Sequence, residues 1–132
     1  MYLLDTNICI SLMKDQYPKL TSKVLSLDPS LFYISSVTVF ELEYGVAKSK
    51  QQEKNSMHLN MFLSAFTILP FDSDDAIVAG RIRAELAKKG TPIGPYDLQI
   101  AAQGLSRKLI VVTHNSDEFS RVLELQVEDW VS

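Results

Sequence analysis

Met1-Tyr2-Leu3-Leu4-Asp5-Thr6-Asn7 opens the chain, and its reading decides the fold. Tyr2, Leu3 and Leu4 form a short continuous apolar run, suited to a strand covered on both faces as in a parallel sheet. Thr6 and Asn7 then supply helix-capping oxygens, and from Ile8 the apolar residues recur at helical spacing, Ile8 with Leu12 and Ile10 with Met13. Asp5 therefore stands where a strand becomes a helix. In an open α/β sheet that place, just beyond the carboxyl end of a strand, is where ligands bind.

The remainder alternates in the same way. Asp15 to Pro18 breaks the first helix, and Leu20, Val24 and Leu27 mark a second that ends at Asp28-Pro29. Leu31 to Ile34 is the next strand-like run; Ser35-Ser36 then caps a helix carrying Val39, Leu42 and Val46, with Glu41 just past its first turn. Leu59, Phe62, Leu63 and Phe66 give the cleanest amphipathic pattern in the chain, a face for the core or for a partner. Thr67 to Leu69 reads as a third strand, and Asp72-Ser73 opens a helix through Val78, Ile82 and Leu86 that Gly90 stops. Asp97 lies in the first turn of a further helix, whose Leu98, Ala101, Ala102 and Leu105 form a small, close-packing face. Leu109 to Val112 is the strongest strand, followed by a polar loop from Thr113 to Glu118, a short Phe119 to Leu123 helix and a weak strand at Leu125 to Val127. This order predicts a single α/β domain over residues 1–132, with a short, mostly parallel sheet of four or five strands flanked by about seven helices.

Composition narrows the class. The 132 residues are 46% apolar and 22% charged, the balance of a globular domain with a sizeable core. Lone Cys9 has no internal disulfide partner, and no signal peptide or membrane span is recognisable, so a cytoplasmic protein is expected. The formal charge of −3 offers nucleic acid no global attraction, so any such contact must be local. Small basic groups exist, such as Lys48 with Lys50 and Lys54, Arg81 with Arg83, and Arg107 with Lys108; their ordinary reading is solvated helix faces.

A parallel sheet would bring four polar segments to one edge: Asp5, Glu41, Asp97 and the Thr113 to Glu118 loop. Each acid alone has a structural reading, Asp97 for instance as a first-turn dipole partner. Three of them, however, flank apolar runs that should be buried, and Asp5, Glu41 and Asp97 have no Lys or Arg close in sequence. Clustered carboxylates without Cys, and with His58 and His114 too far apart for a usual zinc motif, point to a hard cation, Mg²⁺ or Mn²⁺. Asp5 and Asp97 are the expected ligands. Such a mouth suits phosphoryl chemistry, and the absence of a Gly-rich phosphate loop argues against a P-loop nucleotide hydrolase.

Taken together, Asp5-Thr6-Asn7, Ser36 to Gly45, Ile93 to Ala101, Val112-Thr113-His114-Asn115 with Glu118-Phe119, and Glu128-Asp129-Trp130 resemble the VapC toxins of the PIN-domain ribonuclease family, in order over essentially the whole chain. The resemblance implies a Mg²⁺-dependent endoribonuclease toxin that inhibits translation by cutting a tRNA or a ribosomal RNA loop. It also implies a homodimer and a VapB-type antitoxin whose C-terminal arm covers the acidic mouth with a basic side chain. Asp5, Glu41 and Asp97 occupy the places of the family's acidic triad. The fourth place is open: PIN domains often have Asp where this chain has Asn115, while related toxins have an acid before the Phe, here Glu118 with Asp117 adjacent. Thr6, Asn7, Thr113, Asn115 and Asp117 are expected to complete the shell around the catalytic Asp5, Glu41, Asp97 and Glu118.

The chemistry expected is in-line attack of an activated water on an RNA phosphodiester, leaving a 5′-phosphate. Attack by the ribose 2′-OH would need His or Lys acid–base groups, which the mouth is expected to lack. Two rivals are an aspartyl-phosphate protein, either a receiver or a haloacid-dehalogenase-type phosphatase, and a non-catalytic acidic interaction domain. The first is disfavoured by Asn7, where such a phosphatase would carry a second Asp, and by Leu69-Pro70, where a receiver would carry its Asp. The second is weakened by the intact set of acids.

Overall fold

Parallel strands at the centre of the molecule place Asp5 at a bifurcation of the sheet. The computed structural model describes all residues from Met1 to Ser132. Tyr2–Leu4 (β1) lies between Phe32–Ser35 (β2) and Ile110–Val112 (β4), with Thr67–Leu69 (β3) outside β2 and Val127–Glu128 (β5) outside β4, in the order 3-2-1-4-5. Every pairing is parallel, with Leu4 level with Ile34 on one side and Val112 on the other. From β1 the chain first winds through β2 and β3, then returns to build β4 and β5 on the opposite side. The reversal opens a crevice at the carboxyl ends of β1 and β4.

Seven α-helices cover the sheet: α1 (Thr6–Lys14), α2 (Pro18–Leu25), α3 (Ser36–Ala47), α4 (Gln52–Leu63), α5 (Ser73–Lys89), α6 (Pro95–Arg107) and α7 (Ser116–Phe119). Alternation along β1 sends successive leucines to opposite faces. Leu3 packs with Val111, Ile100 and Ala101, under α5 and α6. Leu4 packs with Phe32, Ile34, Val112 and Leu59, under α1, α2 and α4. Both faces are thus dry, which is why the strands read as unbroken apolar runs.

Close approach of α6 to β4 depends on Gly104, where an added Cβ would lie 2.7 Å from Val111 Cγ2 and 3.0 Å from Leu125 Cδ1. The far end of α6 is tied to the start of α5. Asp72 and Asp75 form a reciprocal capping box, and Arg107 donates Nε and Nη2 to Asp75 at 3.3 and 3.2 Å. Asp75 is fully buried; burial pushes its carboxyl up, but the Arg107 and Asp72 hydrogen bonds outweigh that and hold it below its ordinary range. Arg107 is therefore an internal clasp rather than a free cation for nucleic acid.

Several sequence expectations shift. The sheet is wholly rather than mostly parallel. Strand β2 starts at Phe32, because Leu31 closes a single 3-10 turn, Pro29–Leu31. Strand β4 starts at Ile110, since left-handed Lys108 (φ 56°) directs the Leu109 N–H to Gly104 O. The last helix is Ser116–Phe119 rather than Phe119 to Leu123, so the expected polar loop is partly helical. The last strand is Val127–Glu128 rather than Leu125 to Val127, because left-handed Glu124 (φ 68°) turns the chain and the Leu125 N–H is used by Val122 O. The amphipathic face of α4 and the turn after it belongs to the core: Leu59 is fully buried, and Phe62, Leu63 and Phe66 pack beside it. Met57 and Met61, on the other side of α4, are the exposed apolar residues there.

Candidate active site

Asp5 is held at the crevice from two directions. Its N–H donates to Val112 O at 3.2 Å, extending the β1–β4 pairing by one bond, and its carboxylate caps α1 by accepting the Ile8 N–H at 2.8 Å. The cap of α1 is thus Asp5 rather than the expected Thr6 or Asn7, which lie inside the helix, and one side chain both caps α1 and lines the crevice. Asp5 is 3% exposed, and burial pushes its carboxyl up to about 6 against the opposing hydrogen bonds of Thr113 and Ile8, with the Glu41 charge adding to the rise.

Glu41 enters from α3 and is oriented by threonines. Thr6 Oγ1 donates to Glu41 Oε1 at 2.7 Å and lies 3.0 Å from Thr38 Oγ1. A hydroxyl has one proton, so Thr6 gives it to Glu41 and accepts from Thr38. Thr38, fully buried, was not singled out from the sequence; its signal was its place one turn before Glu41 on the same helix face.

Asp97, half-buried in the first turn of α6, completes the cluster with Glu118 from α7. Glu118 Oε1 accepts the Gly94 N–H at 2.7 Å, and Oε2 accepts Asn115 Nδ2 at 2.6 Å. Burial is the main cause that raises Asp97 to about 7, followed by the charges of Glu118, Asp5 and Glu41 and a proton-sharing hydrogen bond with Glu118. A helix N-terminus alone would lower this carboxyl. Repulsion and desolvation win here, as they do when carboxyls crowd one site.

The structure thus brings Asp5, Glu41, Asp97 and Glu118 into one mouth, with Thr6, Thr113 and Asn115 as its hydrogen-bonding frame. Buried Thr113 also receives the Asn115 N–H at 2.9 Å. Asn7 is exposed at the rim, and Asp117 is exposed outside the hydrogen bonds that fix Glu118. The ion pairs of the chain are Arg107 with Asp72 and Asp75, and His114 with Asp129. None reaches the four acids, which have no Lys or Arg partner. Cys9, beneath Asp5, keeps its proton because burial and the Asp5 charge raise its thiol.

These oxygens fit a hard divalent cation, which takes carboxylates and retains waters. No three acidic, His or Cys side chains stand close enough for a closed chelate. That openness suits Mg²⁺, which is usually bound by one or two carboxylates together with water and substrate phosphate, and does not suit a caged structural metal. Asp5 and Asp97 are the residues that could hold such a cation.

The PIN domain pattern matches residues 2–125. A 45% identity over 129 residues, 98% of this chain and 97% of the relative, links it to the tRNA(fMet)-specific endonuclease VapC of Salmonella typhimurium. This chain belongs to the VapC ribonucleases of the PIN-domain family. Ribonuclease VapC2 of Haemophilus influenzae is 42% identical over 130 residues, 98% of each chain. Among solved structures, DNA-bound VapBC from Salmonella typhimurium superposes with a TM-score of 0.92 at 44% identity, over 98% of this chain and 97% of that one. VapBC2 from Rickettsia felis bound to a promoter DNA fragment gives 0.91 at 36% identity, over 98% of each. The parallel 3-2-1-4-5 sheet with seven helices is thus a VapC fold, as the sequence motifs implied.

His114 departs from expectation. The reading of the mouth as free of histidine is corrected: His114 follows Thr113 directly, lies near enough for its charge to lower Asp5, and pairs through Nδ1 with Asp129 Oδ2 at 3.1 Å. The partner came from Asp129, fifteen residues on, which sequence spacing did not connect to the site.

Proposed function

We propose that this VapC protein is the toxin of a toxin–antitoxin pair, a Mg²⁺- or Mn²⁺-dependent endoribonuclease that inhibits translation by cutting a structured RNA, namely a tRNA. The observation that carries this reading is the convergence of four carboxyls with no Lys or Arg partner, two of them raised to about 6 and 7. The name of the Salmonella relative, a tRNA(fMet)-specific endonuclease, supports the substrate class.

When bound, the cation supplies charge neutralisation at the phosphate and acidifies water. Asp5 and Asp97 would hold it. Glu41, fixed by the Thr38–Thr6 hydroxyl chain, and Glu118, fixed by Gly94 and Asn115, orient the attacking water by accepting its hydrogen bonds. In-line attack of that water on phosphorus would then break the P–O3′ bond, leaving a 5′-phosphate on the downstream fragment and a 3′-hydroxyl, protonated, on the upstream one.

The structural relatives are VapBC complexes, which supports a VapB-type antitoxin as partner. Its arm would inhibit by placing an Arg or Lys among the acids, the counter-charge the chain lacks. For the homodimer we favour the exposed aromatic face of Phe40, Tyr44 and Tyr96, where the Phe40 and Tyr96 rings meet at 5.7 Å.

The test is cleavage of a total tRNA pool with Mg²⁺, with Mn²⁺ and in EDTA, with the product ends identified. Metal-dependent cuts ending in 5′-phosphate support the reading; full activity in EDTA overturns it. One observation favours a second reading. His114, buttressed by Asp129, is an acid–base group beside the mouth, and 2′,3′-cyclic phosphate ends would show that it activates the ribose 2′-OH.

A further inference from the structure

Beside the acidic mouth lies an alcove of about 300 Å³ between the start of α1, the α1–α2 turn and the loop after β4, whose polar lining includes Asn7, Ser11, Gln16, Tyr17 and His114. It contains no acidic side chain, although Asn115, which also lines it, donates to Glu118 at 2.6 Å. The Tyr17 and His114 rings stand 6.0 Å apart at 56°, offering flat faces, and the amides of Asn7 and Gln16 offer donor and acceptor together, as a base edge requires.

Asp129 fixes the chemistry of His114. Burial pushes Asp129 up, but the Val131 N–H, the Ser132 hydroxyl and the His114 ring outweigh it and hold the carboxyl at about 2. Asp129 is then an acceptor only, so the His114 nitrogen facing it, Nδ1, must carry hydrogen. Nε2, on the other side of the ring, is left to bond a ligand. A ring nitrogen beside a phosphodiester site matches a ribose 2′-OH, which both donates and accepts and which DNA lacks.

We propose that this alcove is the subsite for a nucleotide flanking the cut bond, with His114 Nε2 hydrogen-bonded to that nucleotide's 2′-OH. The proposal rests on the ribonuclease reading above. A peptide from a partner chain is the competing occupant, but the polar lining and its continuity with the mouth favour RNA.

The experiment uses an initiator-tRNA transcript and versions carrying one 2′-deoxynucleotide on either side of the cut. In the parent, one of the two substitutions should raise KM about tenfold with little change in kcat, the effect of one lost hydrogen bond. In His114→Phe, which keeps a ring but loses Nε2, the all-ribose substrate should show that higher KM and the deoxy substitution should add nothing. Mn²⁺ affinity, read by calorimetry, should be the same in both proteins. Filter retention of the same tRNAs repeats the comparison without cleavage. If the parent cuts no RNA in metal but retention keeps the deoxy difference, the ribonuclease reading fails and the alcove stands. An equal deoxy penalty in parent and variant overturns the subsite, as does a complete loss of cleavage on deoxy substitution, which marks the 2′-OH as nucleophile. A His114→Phe change that weakens antitoxin binding alone assigns the alcove to the partner chain.

Discussion

Glu118 and Gly94 are joined across twenty-four residues by one bond, Gly94 N–H to Glu118 Oε1 at 2.7 Å, and it fixes the α7 carboxylate at the amino end of the helix that carries Asp97. This contact separates the three candidates for the fourth acidic place by geometry: Glu118 faces Asp97, Asn115 supports Glu118, and Asp117 is exposed. Glu118→Gln should reduce metal affinity or cleavage by about ten- to a hundredfold, the usual cost of losing such a supporting group. Asp117→Asn should leave both unchanged. Calorimetry with Mn²⁺ and initial cleavage rates check the pair, and equal losses would mean the assignment is wrong.

Protonation should stabilise the metal-free protein. Asp5 and Asp97 rise from 3.8 to about 6 and about 7 on folding, so the folded state holds their protons more tightly than the unfolded chain does. The stability this contributes is full below pH 4 and is lost as the pH climbs through 6 and 7; for buried Asp5 the loss is about 3 kcal/mol. In EDTA, Asp5→Asn should therefore be more stable than the parent at pH 8 and no more stable at pH 4, while losing cleavage. Thermal unfolding at the two pH values checks this, and a destabilised Asp5→Asn at pH 8 would contradict it. Metal must displace the protons, so Mn²⁺ affinity should rise between pH 6 and 8.

The Thr6 hydroxyl has no role in strand or helix that valine could not fill. Thr6→Val keeps shape and removes the proton given to Glu41 at 2.7 Å. Cleavage should fall by about tenfold or more, and the melting temperature should drop as the buried Thr38 hydroxyl loses its acceptor, at a cost of about 1–3 kcal/mol. Thr6→Ser, which restores the donor, should recover most of the rate. Equal rates for Val and Ser would show that Glu41 does not depend on this bond.

Gly104 is a packing prediction. Gly104→Ala gains about 1 kcal/mol of helix propensity but forces a methyl to 2.7 Å from Val111 Cγ2, and overpacking of that kind costs about 1–3 kcal/mol. The net effect should be a lower melting temperature with the metal site intact. A more stable Gly104→Ala would show that α6 can lift from the sheet without cost.

The sequence by itself determined the elements and most of the site. Dry apolar runs such as Leu3-Leu4 and Val111-Val112 can only be strands covered on both faces, and the carboxylates lacking nearby cations announced a mouth that needs a counter-charge. Tertiary structure alone decided what depends on contacts between distant residues. The Thr38–Thr6–Glu41 chain, the Arg107 clasp on Asp75 and the His114–Asp129 pair join residues from fifteen to thirty-five positions apart, and no local pattern encodes such distances. Which side of α4 faces inward and where β5 begins were likewise settled by packing and by a left-handed Glu124, because helical or strand periodicity describes one element at a time while burial is a property of the neighbours it meets.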